Sequence, residues 1–131
     1  MAVGGLMLGL VPASPVAATG PAEYFQSICT PEAPYAVLGR IGGFPPDNLI
    51  SILFVVTRPA GSATSYSAVT TDAAGAGFLG LADRERDPFR IGALYFHDRD
   101  SSRTYTRGDD VVANLVATVD RPCTSVVGHP K

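Results

Sequence analysis

The segment Leu49–Thr57 reads LISILFVVT and is dominated by β-branched and large apolar side chains. It follows a Gly- and Pro-rich turn and ends at Arg58-Pro59, which is typical of a buried β-strand between two breaks. Side chains alternate between the two faces of a strand. We therefore predict that one face of this strand is formed by Ile50, Ile52, Phe54 and Val56 and that it points into the core.

Working outward from this strand, the chain beyond residue 30 alternates short strand patterns with turn residues, and no helical period persists over ten positions. The predicted strands are Tyr35–Arg40, Leu49–Thr57, Ser62–Thr70, Phe78–Leu81, Arg90–His97, Thr104–Arg107 and Val111–Val119. Seven short strands with regular turns predict an all-β, antiparallel β-sandwich. A barrel is the alternative, because strand count alone does not separate the two architectures.

Length and composition are those of one folded domain. The chain has 131 residues, of which 46% are hydrophobic and 17% are charged, and its net charge is −2. This balance excludes the low-hydrophobicity, high-charge class of disordered chains. The chain also lacks the excess of basic residues that is typical of proteins that bind nucleic acid or anionic lipid, so we expect neither partner.

The N-terminus predicts export. Ala2–Val11 is an apolar run too short to span a bilayer as a helix, which takes about 20 residues. Pro12 and the small residues Val16-Ala17-Ala18 follow it, and together they predict a signal peptide over residues 1–18 and no stable membrane insertion after processing. Because no Lys or Arg precedes the run, a leader that stays in the cytosol is the alternative. Residues 19–33 then form an N-terminal segment, 34–123 the domain and 124–131 a C-terminal tail.

The two cysteines, Cys29 and Cys123, flank the predicted strands. Zinc sites usually draw several ligands from short spacings, and no such cysteine pair is present. We therefore expect one disulfide that joins the two ends of the domain, formed in an oxidising compartment, and a secreted or cell-surface protein. Two unpaired thiols in a cytosolic protein are the alternative.

Several short motifs in turns and strands carry a resemblance to a known family. They are GFPPD at Gly43–Asp47, TDAAG at Thr71–Gly75, I-x-x-L-Y-F at Ile91–Phe96 and DRDSS at Asp98–Ser102. Over residues 34–120 this order resembles bacterial immunoglobulin-like or fibronectin-type-III-like domains. The resemblance implies an all-β, antiparallel immunoglobulin-like β-sandwich of about seven strands that binds an unknown protein or glycan, and it carries over no site residue. The chain departs from antibody domains because it has no Trp.

We expect no enzymatic activity and no cofactor, because the familiar nucleophile, zinc-protease and phosphate-loop motifs are missing. His97, Asp98 and Asp100 form the densest group of titratable residues, but His97 and Asp98 point to opposite faces of a strand. We interpret this group as a solvated hairpin tip.

The same tip partly matches a calcium-binding loop. Counted from Asp98, the oxygen-ligand positions are taken by Asp98, Asp100, Ser102 and Asp109. Arg103 occupies the position where such loops need Gly for a sharp turn, so we expect no metal site. A hard-cation site between strands is the alternative.

The second face of the predicted strand Leu49–Thr57 is formed by Leu49, Leu53 and Val55 and is more apolar than a solvated face should be. We favour the interpretation that the segment Pro21–Pro31 covers this face, which predicts a monomer; the alternative is that the face is an interaction surface.

Two function classes follow. The first is an exported, non-enzymatic immunoglobulin-like module for protein or glycan binding or structural support at the cell surface. The second is a secreted small-molecule carrier or enzyme inhibitor; a large apolar pocket would favour it, and a flat apolar patch would favour the module.

Overall fold

A computed structural model describes residues 20–82 and 84–131, so the predicted signal peptide lies outside the described residues. The described part of the chain consists of strands and their connections, without a helix. The strands are β1 (Ala22–Ser27), β2 (Val37–Gly42), β3 (Leu49–Arg58), β4 (Gly61–Thr70), β5 (Gly77–Ala82), β6 (Phe89–His97), β7 (Asp110–Val119) and β8 (Val126–Pro130). In these residues nothing has the length and hydropathy of a membrane-crossing helix.

The eight strands form one antiparallel sheet in the order β4-β3-β6-β7-β8-β1-β2-β5. Its two edges, β4 and β5, approach each other, since a Cβ added to Gly77 of β5 would lie 2.6 Å from Val69 Cγ2 of β4. The sheet is therefore a nearly closed barrel. The all-β antiparallel prediction is confirmed, whereas the seven-stranded sandwich is not, and the arrangement agrees better with the barrel alternative.

Two strands arise from segments that the sequence pattern assigned to the flanks of the domain. β1 lies within residues 19–33 and β8 within 124–131. β8 pairs with β1 through Val126–Gly128 and with β7 through His129 and Pro130, so it joins the two halves of the barrel. β1 has a charged residue, Glu23, on its inward face, and β8 contains Gly128 and Pro130, so neither segment shows the apolar alternation typical of a strand.

One predicted strand is wrong. Thr104–Arg107 lies in the connection between β6 and β7 and forms no strand. The chain there is bent by residues in the left-handed region, Ser101, Arg103 and Gly108, with φ of 55°, 61° and 103°. This bending is incompatible with an extended ladder.

β3 is central to the barrel and its predicted faces are confirmed. It pairs with β4 along all ten residues and with β6 on its other side. Ile50 and Ile52 are buried, and Phe54 and Val56 pack against the core from partly buried positions. The core is completed by large side chains from other strands, chiefly Phe25, Val37, Ile41, Phe89, Ile91, Tyr95, Leu115 and Val119.

Successive residues Tyr95 and Phe96 are both fully buried although strand alternation points them to opposite faces of the sheet. The register between β6 and β7 shifts at this point, as in a β-bulge. Tyr95 packs inside the barrel, against Phe44. Phe96 lies outside the central core, where Tyr105 covers it edge-on with ring centroids 5.7 Å apart.

The predicted disulfide is confirmed. Cys29 and Cys123 are bridged across a sequence separation of 94, with their Cα atoms 5.1 Å apart. The bridge ties the β1–β2 connection to the β7–β8 connection, and the Cys123 N–H donates to the Pro34 carbonyl at 2.8 Å. A disulfide favours an oxidising environment, in agreement with the expected compartment.

The expectation that Pro21–Pro31 covers the outer face of β3 is wrong. The backbone of this segment forms β1, which pairs with β2 and β8 on a different side of the barrel. Leu49 stays 66% exposed and Val55 42% exposed. The segment has its own inward face, formed by Glu23 and Phe25, and burying that face against the core prevents it from lying on β3.

Candidate functional site

The candidate site is a cleft between the two edge strands of the barrel. β4 and β5 approach each other at Val69 and Gly77 but are not hydrogen-bonded neighbours, and a cavity of about 410 Å³ opens between them. Its apolar lining comes from core side chains: Phe25, Phe54, Val56, Leu79 and Ile91. The volume lies in the range of small-ligand sites, about 300–1,000 Å³.

Small side chains hold the cleft open on both edges. Alternation along β4 points Ser65 and Ser67 inward, opposite Phe54 and Ile52 of β3. Gly80 of β5 also lines the cleft, and a Cβ built there would have no neighbour within 4 Å. The walls next to the opening are thus short and hydroxylated, whereas the floor is apolar.

An ion pair lies at the end of the cleft. Arg58, the last residue of β3, donates from Nε and Nη2 to the two carboxylate oxygens of Glu85 at 2.7 and 2.9 Å. The hydrogen bonds to Glu85 raise the pKa of Arg58 above its ordinary value. The Glu85 side chain is 13% exposed and that of Arg58 37%. The pair fixes the β5–β6 connection to β3 and places a charged group beside the apolar floor.

A second apolar surface lies on the outside of the barrel. Leu53 and Val55 of β3 line a groove of about 400 Å³ together with Leu94 and Val116 from the next two strands. Arg90 and Lys131 also line it. Of the three residues predicted as an interaction surface, the structure brings Leu53 and Val55 together; Leu49 is not part of the groove lining.

The predicted hairpin tip is a compact loop. Asp98, Asp100 and Asp109 can each place one oxygen within 4.8 Å of the others. All six of their carboxylate oxygens already accept hydrogen bonds, from the backbone N–H groups of Arg99, Ser102, Arg103 and Thr106 and from the Thr106 hydroxyl.

Hydroxyl hydrogen bonds from Ser102 and Thr106 lower the pKa of Asp100 to about 2, so this carboxylate is ionised at neutral pH. His97 is not part of the cluster, since its Nε2 lies 3.2 Å from Asn48 Oδ1. The carboxylates fix the conformation of the loop, and the loop in turn carries the Tyr105 ring that covers Phe96.

Sequence reasoning missed a buried pair, Glu23 and Tyr95. Glu23 is fully buried, and the Tyr95 hydroxyl donates to its Oε1 at 2.5 Å. Its Oε2 has no hydrogen-bond partner among the described residues. Burial raises the pKa of Glu23 to about 7. Alternation within β1 could have indicated this position, because Glu23 shares its face with Phe25.

The Glu23–Tyr95 pair does not line the cleft between β4 and β5. It lies where β1 meets β8, and Gly128 faces Glu23 across that ladder. A Cβ at Gly128 would lie 2.5 Å from Glu23 Oε2, so only glycine leaves room for the carboxylate. The pair therefore belongs to the packing of the barrel and not to the candidate site.

Comparisons with family models, curated proteins and solved structures give no match to this chain.

Proposed function

We propose that the chain is an exported, non-enzymatic binding protein, secreted or held at the cell surface, which takes the apolar part of its ligand into the cleft between β4 and β5. The observation that carries this proposal is the gap in an otherwise continuous barrel, with core side chains at its floor. Export is supported by the disulfide and by the signal-peptide pattern of residues 1–18.

The cleft is suited to apolar groups because it gives access to the hydrophobic core. Phe54 and Val56 belong to the inward face of β3, yet both are only partly buried. Covering such a side chain completely stabilises a complex by up to about 1.5–3 kcal/mol. Ser65, Ser67 and the Arg58–Glu85 pair supply the few polar groups that orient a ligand in sites of this kind.

A second candidate function is that of the immunoglobulin-like module which binds a protein or glycan over a flat sheet face. It is favoured by the outer groove, where Leu53, Val55, Leu94 and Val116 form one apolar surface beside two cations. The cleft is the stronger candidate because its floor is formed by side chains of the hydrophobic core.

Fluorescence titration with the uncharged apolar dye Nile red tests the proposal. Ser65→Phe points an aromatic ring into the cleft, and we expect it to weaken dye binding by about tenfold or more, equivalent to at least about 1.4 kcal/mol. The matched control is Thr64→Phe, which adds the same ring to the adjacent residue of the same strand but on the outer face.

The two variants give opposite results for the two candidate functions. Loss of dye binding in Ser65→Phe alone supports the cleft. Loss in Thr64→Phe alone assigns the dye to the outer groove, which Thr64 lines, and overturns the proposal. Equal binding by both variants and the parent, or no saturable binding by the parent, overturns it as well.

A further inference from the structure

We infer that the ligand is an extended segment of another protein, which pairs with the free edge of β4 and places alternate apolar side chains in the cleft. This inference rests on the proposed function, since it names the class of ligand that the same cleft would take. Addition of a strand to an exposed sheet edge is a recurring mode of peptide recognition, in which backbone hydrogen bonds supply affinity and pockets for alternate side chains supply specificity.

The edge of β4 lacks the features that usually protect a sheet edge. Natural edge strands are blocked by charged side chains, prolines, bulges or very short length. β4 is ten residues long, reads GSATSYSAVT, and contains neither a charged residue nor a proline. It pairs with β3 along its whole length without a bulge. β5, on the other side of the cleft, reads GFLGLA and is equally free of charge and proline.

The free backbone groups of β4 can be assigned from one hydrogen bond at its end. The Thr71 N–H donates to the Asn48 carbonyl at 2.8 Å, so the residue-71 backbone points toward β3. Backbone groups in an antiparallel ladder point alternately to the two sides of a strand. Every second residue before Thr71 therefore bonds to β3, and the residues between them turn N–H and C=O toward the gap. These outward residues include Thr64, Tyr66 and Ala68.

The side chains of a strand added along β4 would also fit the cleft. A strand laid along β4 would point every second side chain inward, to the level of Ser65 and Ser67. Because these two side chains are short, the incoming groups would reach the floor formed by Phe25, Leu79 and Ile91. A segment with apolar residues at alternate positions fits this arrangement.

A second copy of the chain fits the cleft less well than an apolar segment does. If two β4 edges paired, the strand added to each barrel would carry serine at inward positions 65 and 67. Serine would leave the apolar floor without apolar partners. The free backbone groups of the two β4 edges would be hydrogen-bonded to each other, but the cleft would not be filled.

The test uses a fluorescein-labelled peptide of the length of residues 61–68, the part of β4 that is clear of the approach between Val69 and Gly77, and in this peptide valine alternates with threonine between terminal lysines. Thr64→Pro removes an outward N–H without removing a bond to β3, and proline is tolerated at edge positions of this kind. Thr64→Val keeps the N–H and is the matched control. We expect saturable binding to the parent and to Thr64→Val, about tenfold weaker binding to Thr64→Pro, and slower amide hydrogen exchange at residues 64, 66 and 68 on binding. A peptide N-methylated at alternate residues on its β4-facing edge should not bind.

Other outcomes overturn the inference in distinguishable ways. Nile red bound in the cleft without any binding of the peptide would leave the proposed function standing and exclude a strand ligand. Equal affinity for the N-methylated peptide would show that backbone pairing is not used. Protection of the same amides that rises with protein concentration in the absence of peptide, together with a dimer by light scattering, would assign the edge to a second copy. Peptide binding that Ser65→Phe does not weaken would place the peptide outside the cleft and overturn the inference, whereas the proposed function would still be decided by the Nile red titration.

Discussion

The hydroxyl of Tyr95 and the carboxylate of Glu23 form a hydrogen bond of 2.5 Å inside the barrel, between strands that lie three places apart in the sheet. Burial and the adjacent carboxylate raise the pKa of Tyr95 far above its ordinary value, so the phenol keeps its proton and acts as the donor. Burial in turn raises the pKa of Glu23 from 4.5 to about 7, which makes the charged carboxylate the less stable form in the folded protein.

Glu23 should therefore make the stability of the protein depend on pH. Between pH 4.5 and about 7 the unfolded chain loses this proton while the folded chain keeps it, so stability falls as the pH rises through this window. The loss amounts to the order of 3 kcal/mol and is complete above the folded pKa. We expect Glu23→Gln to abolish this pH dependence, as measured by urea unfolding from pH 4 to 8. An unchanged slope in the variant would contradict this assignment.

Reduction of the disulfide should destabilise the barrel strongly. Closing a loop with a sequence separation of 94 stabilises a fold by about 4–5 kcal/mol through the entropy of the unfolded chain. We expect reductant to lower the thermal midpoint by many degrees, and to have no effect on the double variant Cys29→Ser/Cys123→Ser. Non-reducing mass spectrometry that found two free thiols in protein from its native host would contradict the prediction.

Calcium should leave the thermal midpoint unchanged. The oxygens of Asp98, Asp100 and Asp109 already accept hydrogen bonds, and Arg103 stands where a calcium loop needs glycine. A ligand that binds only the folded state would raise the midpoint in proportion to its occupancy. The decisive contrary result is a calcium-induced rise of several degrees that Asp100→Asn removes.

Leu53→Glu should be tolerated, because the side chain lies on the outer face of β3 and is only partly buried. We expect a loss of about 1 kcal/mol or less, as for surface substitutions in general. Ile52→Glu is the control, since Ile52 is 1% exposed and an unpaired charge in the core should unfold the domain. The measurement is the thermal midpoint of each variant compared with that of the parent. Unfolding of both variants to a similar degree would show that β3 is covered on both faces.

Much of the fold could be predicted from local pattern. The alternation in Leu49–Thr57 gave the correct inward face, and the TDAAG turn forms as its residues suggest. Asp72 Oδ1 accepts the N–H groups of Ala74 and Ala76 at 2.9 and 3.0 Å, and Gly75 adopts a φ of 77°. These features depend on neighbouring residues alone, which is why sequence suffices for them.

What sequence could not supply depends on contacts between distant segments. β1 and β8 lack a clear apolar alternation, because Glu23 lies on the inward face of β1 and β8 contains Gly128 and Pro130; they become strands because each completes the ladder of the other. The cleft likewise exists because the two ends of the sheet order, β4 and β5, do not pair along their length, a property of closure that no local window contains. The burial of Glu23 follows from the same assembly, since it requires Gly128 opposite it.

The position of β8 between β7 and β1 has a consequence for the order of events during synthesis. Of the eight strands, β1 is made first and β8 last, so β1 has no second neighbour until the other seven strands have been synthesised. Cys29 likewise has no partner until Cys123 has been made. The closure of the barrel and its covalent bridge therefore both depend on residues that follow β7. A chain truncated before residue 123 would lack both at once.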